Sequence, residues 1–453
     1  MSRQSDRREF LKLSALGLGA ASMAAGRPSR REPEDPPAAY RDAAGFAAPA
    51  LDVVRIGFVG VGLQGGSHVE NFLAIDGVEI VAICDIDEPR AREVAGWISD
   101  AGRPAPALYT RGETDFLRLC ERDDVDLVFN STPWRWHVPA CVAAMESGKH
   151  TAVEVPAAYT IDGCWQLVET AERHARHCVM MENCNYGRRE MMILRMVRAG
   201  LFGELLHAEG AYIHDLRAIK FSDANEGLWR LDHSTRRNGN LYPTHGLGPV
   251  AQCLDINRGD QFDYLVSMSS PALGLKRYAE RELAADDPRR DAEYVLGDMN
   301  SSLIRTKRGR TILLQHDTAS PRPYSRINLV QGTAGTVTGY PDRIYIEGRS
   351  PEHRWQDLEE YRDEWDHPLW RKLEEQAAGA GHGGMDYLED YRLVECLRNG
   401  WPLDMDVYDA AALSVITEVS EISVAEGSRP VEIPDFTRDL WRHRTPVSIA
   451  EMA

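Results

Sequence analysis

The stretch Val59-Gly60-Val61-Gly62-Leu63-Gln64-Gly65 follows an apolar run that begins at Val53 and predicts a buried strand. Its glycines have the G-x-G-x-x-G spacing. In that motif the first glycine permits a tight turn, the second lets the backbone approach a pyrophosphate, and the third lets helix and strand pack closely. The pyrophosphate then lies at the N-terminus of the next helix, where free N–H groups and the helix dipole favour an anion. The stretch therefore predicts a dinucleotide site with contacts from Gly60, Gly62, Leu63, Gln64 and Gly65.

An acidic residue, Asp85, follows Gly65 by 20 positions and ends the second predicted strand, residues 78–84. A carboxylate at this point accepts hydrogen bonds from the ribose hydroxyls of the adenosine and repels a 2′-phosphate. The next residues are Ile86 and Asp87 rather than a basic cluster. The sequence therefore favours NAD over NADP.

The segments around this turn alternate between strand and helix patterns as far as residue 185. Predicted strands cover 53–59, 78–84, 125–130, 151–155 and 179–183, and predicted helices cover 67–75, 87–100, 115–120, 138–147 and 160–174. Such alternation indicates a parallel sheet with right-handed crossovers. We therefore predict an α/β protein with an N-terminal Rossmann domain, a doubly wound parallel sheet, over residues 51–185.

The pattern changes after Tyr186. A helix over 190–199 precedes strand-like runs at 205–213, 264–268, 300–306, 311–316, 326–331 and 336–338, and helices over 387–399 and 407–426 follow. We read 273–290, which is rich in charge, as a surface excursion. These runs predict a C-terminal α+β domain over 186–430, with a largely antiparallel open sheet that binds the substrate, and a tail over 431–453.

The N-terminus has the pattern of a twin-arginine signal peptide. Arg7-Arg8-Glu9-Phe10-Leu11-Lys12 precedes an apolar run rich in Gly and Ala, which is too short for a stable membrane span. We predict a signal peptide over 1–25, a linker over 26–50, and export by the twin-arginine machinery to the periplasm or beyond. Because little free NAD is expected there, a tightly held cofactor and a redox-neutral reaction are favoured.

The net charge and the cysteine content bear on nucleic-acid binding, disulfides and metal binding. The net charge of −18 argues against nucleic acid, which requires a basic face. The eight cysteines form no C-x-x-C pair, and because twin-arginine cargo folds before export we expect buried thiols. We predict no metal, because His214, Asp215 and His233 lack ligand spacing, and we read 255–260 as a turn.

Several further motifs give the chain a resemblance to a known family. The turn Asn130-Ser131-Thr132-Pro133, followed by His137, resembles the turn over the nicotinamide in the Gfo/Idh/MocA oxidoreductases. Those proteins usually have Glu-Lys-Pro at the end of a later strand, with a catalytic lysine, where this chain has Glu154-Val155-Pro156. The segments 134–137, 154–156, 185–190 and 242–246 together resemble glycoside hydrolase family 109, whose members carry twin-arginine leaders, hold NAD tightly and include α-N-acetylgalactosaminidases.

The resemblance implies both a mechanism and a set of site residues. The sugar C3 gives a hydride to NAD⁺, the C2 proton is removed, the glycosidic oxygen leaves C1, water adds, and the hydride returns. His245 is implied as the base at the C3 hydroxyl, with Tyr242 beside it, and Tyr186 as an acid/base at C2 or at the leaving oxygen. Implied cofactor contacts are Asn130, Trp134, His137, Glu154, Val155 and Asn183. Implied substrate contacts are Tyr212, Arg230, Tyr242, Pro243, Thr244, His245 and Tyr324.

Two alternatives remain open from the sequence. One is an exported NAD-dependent sugar or polyol dehydrogenase, against which the missing lysine weighs. The other is a sugar-binding protein that uses NAD as a structural element, against which Tyr242, His245 and Tyr186 weigh. The family also pairs through its open sheet, so a homodimer is expected. The sequence does not name the sugar, the anomer or the natural glycan.

Overall fold

The first sheet is built from six parallel strands in the order β3-β2-β1-β4-β5-β6, the arrangement of a doubly wound fold. It belongs to a computed structural model that describes residues 35–224, 228–447 and 449. The strands are Val54–Val59 (β1), Val78–Cys84 (β2), Ala107–Tyr109 (β3), Leu127–Asn130 (β4), His150–Val153 (β5) and Cys178–Met180 (β6). The predicted signal peptide and residues 26–34 of the predicted linker lie outside the described residues.

Five helices connect these strands. They are Leu63–Leu73 (α1), Glu88–Asp100 (α2), Phe116–Cys120 (α3), His137–Glu146 (α4) and Ile161–His174 (α5). Two begin at side-chain caps, since Asp87 accepts from the Arg90 N–H and Thr160 from the Gly163 N–H. α1 begins at Gly62 without a side-chain cap, which leaves N–H groups at its start available to a ligand.

The second sheet has nine strands in the order β14-β13-β12-β11-β7-β10-β9-β8-β15. Only the β7–β10 pair is parallel, so the sheet is mostly antiparallel and the predicted fold class is confirmed. Its strands are Leu205–Ile213 (β7), Phe262–Ser269 (β8), Asn300–Thr306 (β9), Thr311–Asp317 (β10), Leu329–Gly332 (β11), Gly335–Thr338 (β12), Arg343–Ile346 (β13), Gln356–Asp357 (β14) and Val431–Glu432 (β15).

Helices cover the inner face of this sheet and reach back to the first one. They are Arg188–Arg198 (α6), Arg217–Lys220 (α7), Trp229–Arg236 (α8), Thr244–Cys253 (α9), Gly274–Glu282 (α10), Arg362–Trp365 (α11), Pro368–Ala377 (α12), Met385–Asn399 (α13), Val407–Ser414 (α14) and Ile416–Ala425 (α15). The helix α13 packs on α1, and α9 packs on β7. These two contacts place late parts of the chain beside the glycine turn.

The structure differs from the sequence prediction in short strands and in several helices, among them α8, α9 and α12, which have eight to ten residues and were not predicted. The strands β3, β13, β14 and β15 were missed because they have two to four residues, too few to show a periodicity. The helix predicted over 407–426 is two helices, α14 and α15, and the excursion over 273–290 contains α10.

Two segments that were predicted to be peripheral are packed. Within the predicted linker, Tyr40 and Phe46 are buried and stacked at 4.6 Å, and the Tyr40 hydroxyl donates to the carbonyl oxygen of Arg176. In the predicted tail, β15 pairs with β8, and Phe436 is fully buried. The predicted linker and tail therefore both contain residues that pack on the fold, because apolar side chains among polar neighbours anchor them.

The sequence also predicted buried thiols and no stable membrane span. All eight cysteines are buried free thiols, as expected. Among the described residues, no helix combines the length and the apolar character needed to cross a membrane.

Candidate active site

A cavity of about 730 Å³ lies at the carboxyl ends of the parallel strands, where doubly wound folds bind their ligands. One wall comes from the loops after β1, β2, β4 and β5. The other comes from the end of β7, from α8 and α9, and from the turn before α13. The cavity is large enough for a dinucleotide and a sugar together.

The glycine turn has the geometry that its sequence predicted. Gly60 has a φ of +84°, and a Cβ there would lie 2.8 Å from the Ser131 carbonyl oxygen. A Cβ on Gly65 would collide with the Gly60 carbonyl oxygen, whereas one on Gly62 would meet nothing within 4 Å. Open space therefore lies above the middle glycine, at the start of α1. This fits a pyrophosphate, which the backbone N–H groups would hold.

Asp85 and Arg90 complete this end of the site. The Asp85 carboxylate accepts from the Val61 N–H at 2.8 Å and from the Asp87 N–H at 2.9 Å, so its orientation is fixed beside the turn. Arg90, which the sequence analysis missed, donates to the carbonyl oxygens of Val61 and Gly62. Leu63, Gln64 and Arg90 line the cavity. The set of donors and acceptors fits a bound NAD.

The turn after β4 is held from inside. The Asn130 amide donates to the His137 carbonyl oxygen, and its carbonyl accepts from the Thr132 hydroxyl at 2.7 Å. His137 is buried with its ring nitrogens 2.8 Å from the Thr132 and Pro156 carbonyl oxygens, and the Trp134 N–H donates to the carbonyl oxygen of Val155. Trp134, His137 and Val155 line the cavity. Asn130 is fully buried and shapes the turn rather than facing the cavity.

Glu154 reaches into the cavity from the end of β5. Its Oε1 lies 2.9 Å from Nε2 of His68 on α1, and Nδ1 of His68 lies 2.9 Å from both carboxylate oxygens of Asp390 on α13. His68 is buried, and burial alone would lower its pKa. The two carboxylates outweigh that effect and raise the pKa well above 6.5. A buried imidazolium thus stands behind Glu154.

Asn183 belongs to a second polar group in the cavity. Its amide donates to Asp386 at 2.6 Å, and Asp386 also lies 2.8 Å from Nδ1 of His382. Burial would raise the pKa of Asp386, but His382, His68 and Asn183 hold it well below its usual value. Asn183, His382 and Asp386 all line the cavity.

His245 forms a dyad with Glu182. Nδ1 of His245 lies 2.7 Å from Oε1 of Glu182, which also accepts from the Cys184 N–H at 3.1 Å. The Glu182 side chain is fully buried, and His245 outweighs the effect of that burial and lowers the carboxylate pKa. His245 lines the cavity at the start of α9. A buried carboxylate that orients an exposed-edge imidazole is the arrangement of a general base.

Aromatic side chains and one arginine form the sugar-facing wall. The Tyr212 ring lies 4.6 Å from Tyr242 and 5.3 Å from His245, between ring centroids. The Arg230 guanidinium lies 4.3 Å above Trp229 and 5.6 Å above Trp134. Burial and the neighbouring Tyr212 raise the pKa of Tyr242 well above 10, so Tyr242 is a neutral phenol that can donate a hydrogen bond.

Three other predicted substrate residues lie at the edge of this wall. Tyr324 accepts from Arg326 at 3.0 Å, and its ring lies 4.9 Å from His214. Pro243 is the residue before α9, and Thr244 is buried in its first turn. They support the wall and the position of His245.

Tyr186 does not lie in this cavity, contrary to the sequence prediction. It ends the short 3₁₀ helix Asn183–Tyr186, and its hydroxyl donates to Asp404 at 3.1 Å. Asp404 is in turn paired with Arg392 at 2.8 Å. The hydroxyl thereby contacts a buried ion pair, and the catalytic role of Tyr186 stays a prediction.

Several polar residues of the cavity were missed by the sequence analysis. Arg90, His382 and Asp386 line it, His68 and Glu182 each reach it through one hydrogen bond, and Asp390 reaches it through His68. The one local signal was the position of Glu182 just after β6, at the carboxyl edge of the sheet.

Ligand atoms of Glu182, Cys184 and His245 lie within 4.8 Å of one another, a spacing that could hold a metal ion. The hydrogen bond between Glu182 and His245 explains, without a metal ion, why two of these three residues lie close together. The absence of a metal stays a prediction.

Two family models together match almost the whole folded chain. An oxidoreductase family described as having an NAD-binding Rossmann fold matches residues 54–182. The C-terminal domain of glycosyl hydrolase 109 matches residues 186–443. The cofactor is therefore NAD, as the sequence predicted.

Full-length relatives support the same family, and solved structures support the same fold. A glycosyl hydrolase family 109 protein of Shewanella pealeana is 52% identical over 98% of this chain and 99% of its own. An alpha-N-acetylgalactosaminidase of Shewanella oneidensis is 50% identical over 98% of both chains. A levoglucosan dehydrogenase in complex with NADH and levoglucosan has a TM-score of 0.65 at 16% identity, over 84% of this chain and 99% of its own. An inositol dehydrogenase homologue of Azotobacter vinelandii has a TM-score of 0.62 at 20% identity, over 84% of this chain and 98% of its own, and these two likenesses show the fold alone.

The family model over the second half and the identity over nearly the full length decide the class of enzyme. The protein is an NAD-dependent glycosidase. The chain belongs to glycosyl hydrolase family 109.

Proposed function

We propose that this enzyme hydrolyses α-linked N-acetylgalactosamine, or a close relative, by redox-neutral oxidation, elimination, hydration and reduction. The observation that carries the proposal is that His245, which Glu182 orients from behind, and Glu154 line one cavity with the glycine turn. The name of the Shewanella oneidensis relative supports the choice of sugar.

The cofactor would be held by the glycine turn, the start of α1, Asp85 and the turn after β4. Bound NAD⁺ supplies an acceptor for the C3 hydride and returns it at the end of each turnover. Because Arg90 and Asp85 brace the turn through backbone contacts, the site is preorganised for a retained cofactor.

His245 is the base for the C3 hydroxyl. Its Nδ1–H donates to Glu182, which fixes the tautomer in which Nε2 is the acceptor. When the hydroxyl proton moves to Nε2, the buried Glu182 carboxylate stabilises the imidazolium that forms. Tyr242, next to His245 at 4.9 Å between ring centroids, donates a hydrogen bond to a sugar oxygen.

We place Glu154 in the role at C2 for which the family resemblance implied Tyr186. The carboxylate removes the C2 proton, the C2–H electron pair forms the C1=C2 bond, and the C1–O electron pair leaves with the glycosidic oxygen. The hydroxide part of a water molecule then bonds to C1, the proton that this water gives up goes to the departed glycosidic oxygen, and Glu154 returns the original proton to C2. A carboxylate that lines the same cavity as His245 is suited to this exchange.

The aromatic wall binds the sugar. Tyr212 and Trp134 offer ring faces to its apolar side, and Arg230 offers planar donors to a hydroxyl or to the acetamido oxygen.

We also propose that the protein is exported and that it forms a homodimer. The twin-arginine pattern at residues 7–12 supports export to the periplasm or beyond through that machinery. A homodimer is supported by Met268 and Leu303, which are exposed and share one face of the open sheet.

The test is release of aryl alcohol from an aryl α-N-acetylgalactosaminide by purified enzyme with no NAD added. Turnover well beyond one equivalent, with no net NADH, is expected. Stoichiometric absorbance at 340 nm with free sugars and no release would replace the proposal with a dehydrogenase. If neither signal appears, the same assay on a panel of glycosides decides whether only the sugar is wrong.

A further inference from the structure

The ion network behind Glu154 crosses from one half of the fold to the other. His68 lies on α1, just past the glycine turn, and Asp390 lies on α13, 322 positions later. Both side chains are shut off from solvent, with exposures of 1% and 0%. Only Glu154, at the cavity end of the series, remains partly exposed, at 16%.

The contacts of His68 fix its protonation. Its two ring nitrogens each face a carboxylate at 2.9 Å, and carboxylates accept hydrogen bonds. A neutral ring would leave one carboxylate facing a nitrogen lone pair. The charged ring donates to both, so with both carboxylates ionised the geometry favours the imidazolium.

We propose that His68 is a positioning residue that keeps Glu154 ionised and aimed into the cavity, with Asp390 as its anchor. The inference rests on the proposed function, in which Glu154 exchanges a proton with C2 of the sugar. Once sugar and cofactor fill the cavity, water no longer solvates the carboxylate, and a buried cation 2.9 Å away replaces that solvation.

The position of Glu154 is fixed as well as its charge. Its Oε2 accepts from its neighbour's backbone, the Val155 N–H, at 3.2 Å, while Oε1 is held by His68. Asp390 is held by the Asn71 amide at 2.9 Å, so the ring cannot swing away from the cavity. Preorganisation of this kind places an acid/base group before the substrate arrives.

Other ionisable groups lie near His68 and Glu154 and contribute to their electrostatic environment. Burial raises the pKa of Glu389 well above its usual value, which favours the neutral acid. Burial also raises the pKa of Asp390 to about 6, against the opposing effect of His68. The remaining titratable groups that face His68 or Glu154 are Asp386, His382, His137 and Tyr242.

The test compares His68→Asn and Asp390→Asn with a matched control, His150→Asn. His150 is also a buried imidazole, but it lies at the opposite end of β5 from Glu154. We expect His68→Asn to move the acid limb of kcat/KM to higher pH by about one unit or more, and Asp390→Asn to move it less. His150→Asn should leave the limb in place. An unchanged limb in His68→Asn, with unchanged kcat, would overturn the proposal.

A second readout needs no turnover. The ring signals of His68 in histidine-labelled enzyme, identified by their loss in His68→Asn, should remain those of an imidazolium from pH 6 to 8. In Glu154→Gln the ring should lose its proton at lower pH than in wild type. A ring that titrates near 6.5 in wild type would refute the ion network itself. If the ring behaves as expected but no galactosaminide is cleaved, the proposed sugar or reaction fails while the network stands.

Discussion

Replacement of Glu182 by glutamine tests the dyad most directly. The substitution keeps the shape of a side chain that is fully buried and removes only its charge. His245 would still lie in place, but the positive charge that it acquires as a base would have no counter-charge. We expect a large loss of kcat with little change in folding.

The magnitude follows from the hydrogen bond between Nδ1 and Oε1 at 2.7 Å. A bond to a charged group contributes about 1.5–3 kcal/mol, and a neutral one about 0.5–1.5 kcal/mol. The difference of about 1–2 kcal/mol corresponds to about a 5- to 30-fold slower reaction. If the new amide donates to Nδ1, it also reverses the tautomer, a fault that costs about 10⁴-fold in a serine protease triad.

The assay is aryl alcohol release, normalised to the NAD that each preparation retains. Glu389→Gln is the matched control, because Glu389 is also a buried carboxyl and its burial raises its pKa well above the usual value. The raised pKa favours the neutral acid, which an amide resembles, so turnover should stay within about threefold. Glu182→Gln with activity equally close to wild type would refute the assignment of His245 as the base.

Three further predictions test other parts of the structure. Tyr186→Phe should keep turnover within about threefold and lower the free energy of unfolding by about 0.5–1.5 kcal/mol through the lost bond to Asp404, whereas a hundredfold loss would support its catalytic role. Gly60→Ala should lose retained NAD, measured by absorbance of the denatured supernatant, because its φ of +84° costs a side chain about 1–2 kcal/mol and its Cβ would press on Ser131. Asp386 has a lowered pKa in the fold, so it stabilises the fold above its unfolded-state pKa and less as pH falls. Asp386→Asn should therefore flatten the fall in melting temperature between about pH 5 and pH 2, and an unchanged slope would contradict the shift.

Local motifs were readable from the sequence because their chemistry is contained in a few consecutive residues. The glycine turn, Asp85 and the turn at Asn130 each lie where a strand is followed by a bend and then a helix. That succession is visible in the sequence. His245 was predicted through the resemblance of the segment 242–246 to glycoside hydrolase family 109, since a histidine beside a turn is by itself more often structural. The two sheets followed from strand and helix periodicity over long runs.

Partners that are distant in sequence were not readable. Glu182 precedes His245 by 63 positions, and His68 precedes Asp390 by 322, so nothing in either segment points to the other. The direction of the Tyr186 hydroxyl was not readable for a related reason. The sequence places it at a strand end beside the cavity, but the 3₁₀ turn that it ends directs its hydroxyl to Asp404, a residue of a late loop.

The missing lysine can be understood in the same terms. Where relatives of the wider superfamily have lysine, Val155 is buried, and its backbone N–H and carbonyl oxygen bind Glu154 and Trp134. The cation beside the carboxylate comes instead from His68, on a different element. A lysine on a flexible stem can give up a proton and move away, whereas a ring held by two carboxylates keeps both its charge and its place. In the proposed reaction, which returns a proton to the same carbon, the second arrangement suits Glu154. A search at the lysine position misses this cation, because His68 lies on α1.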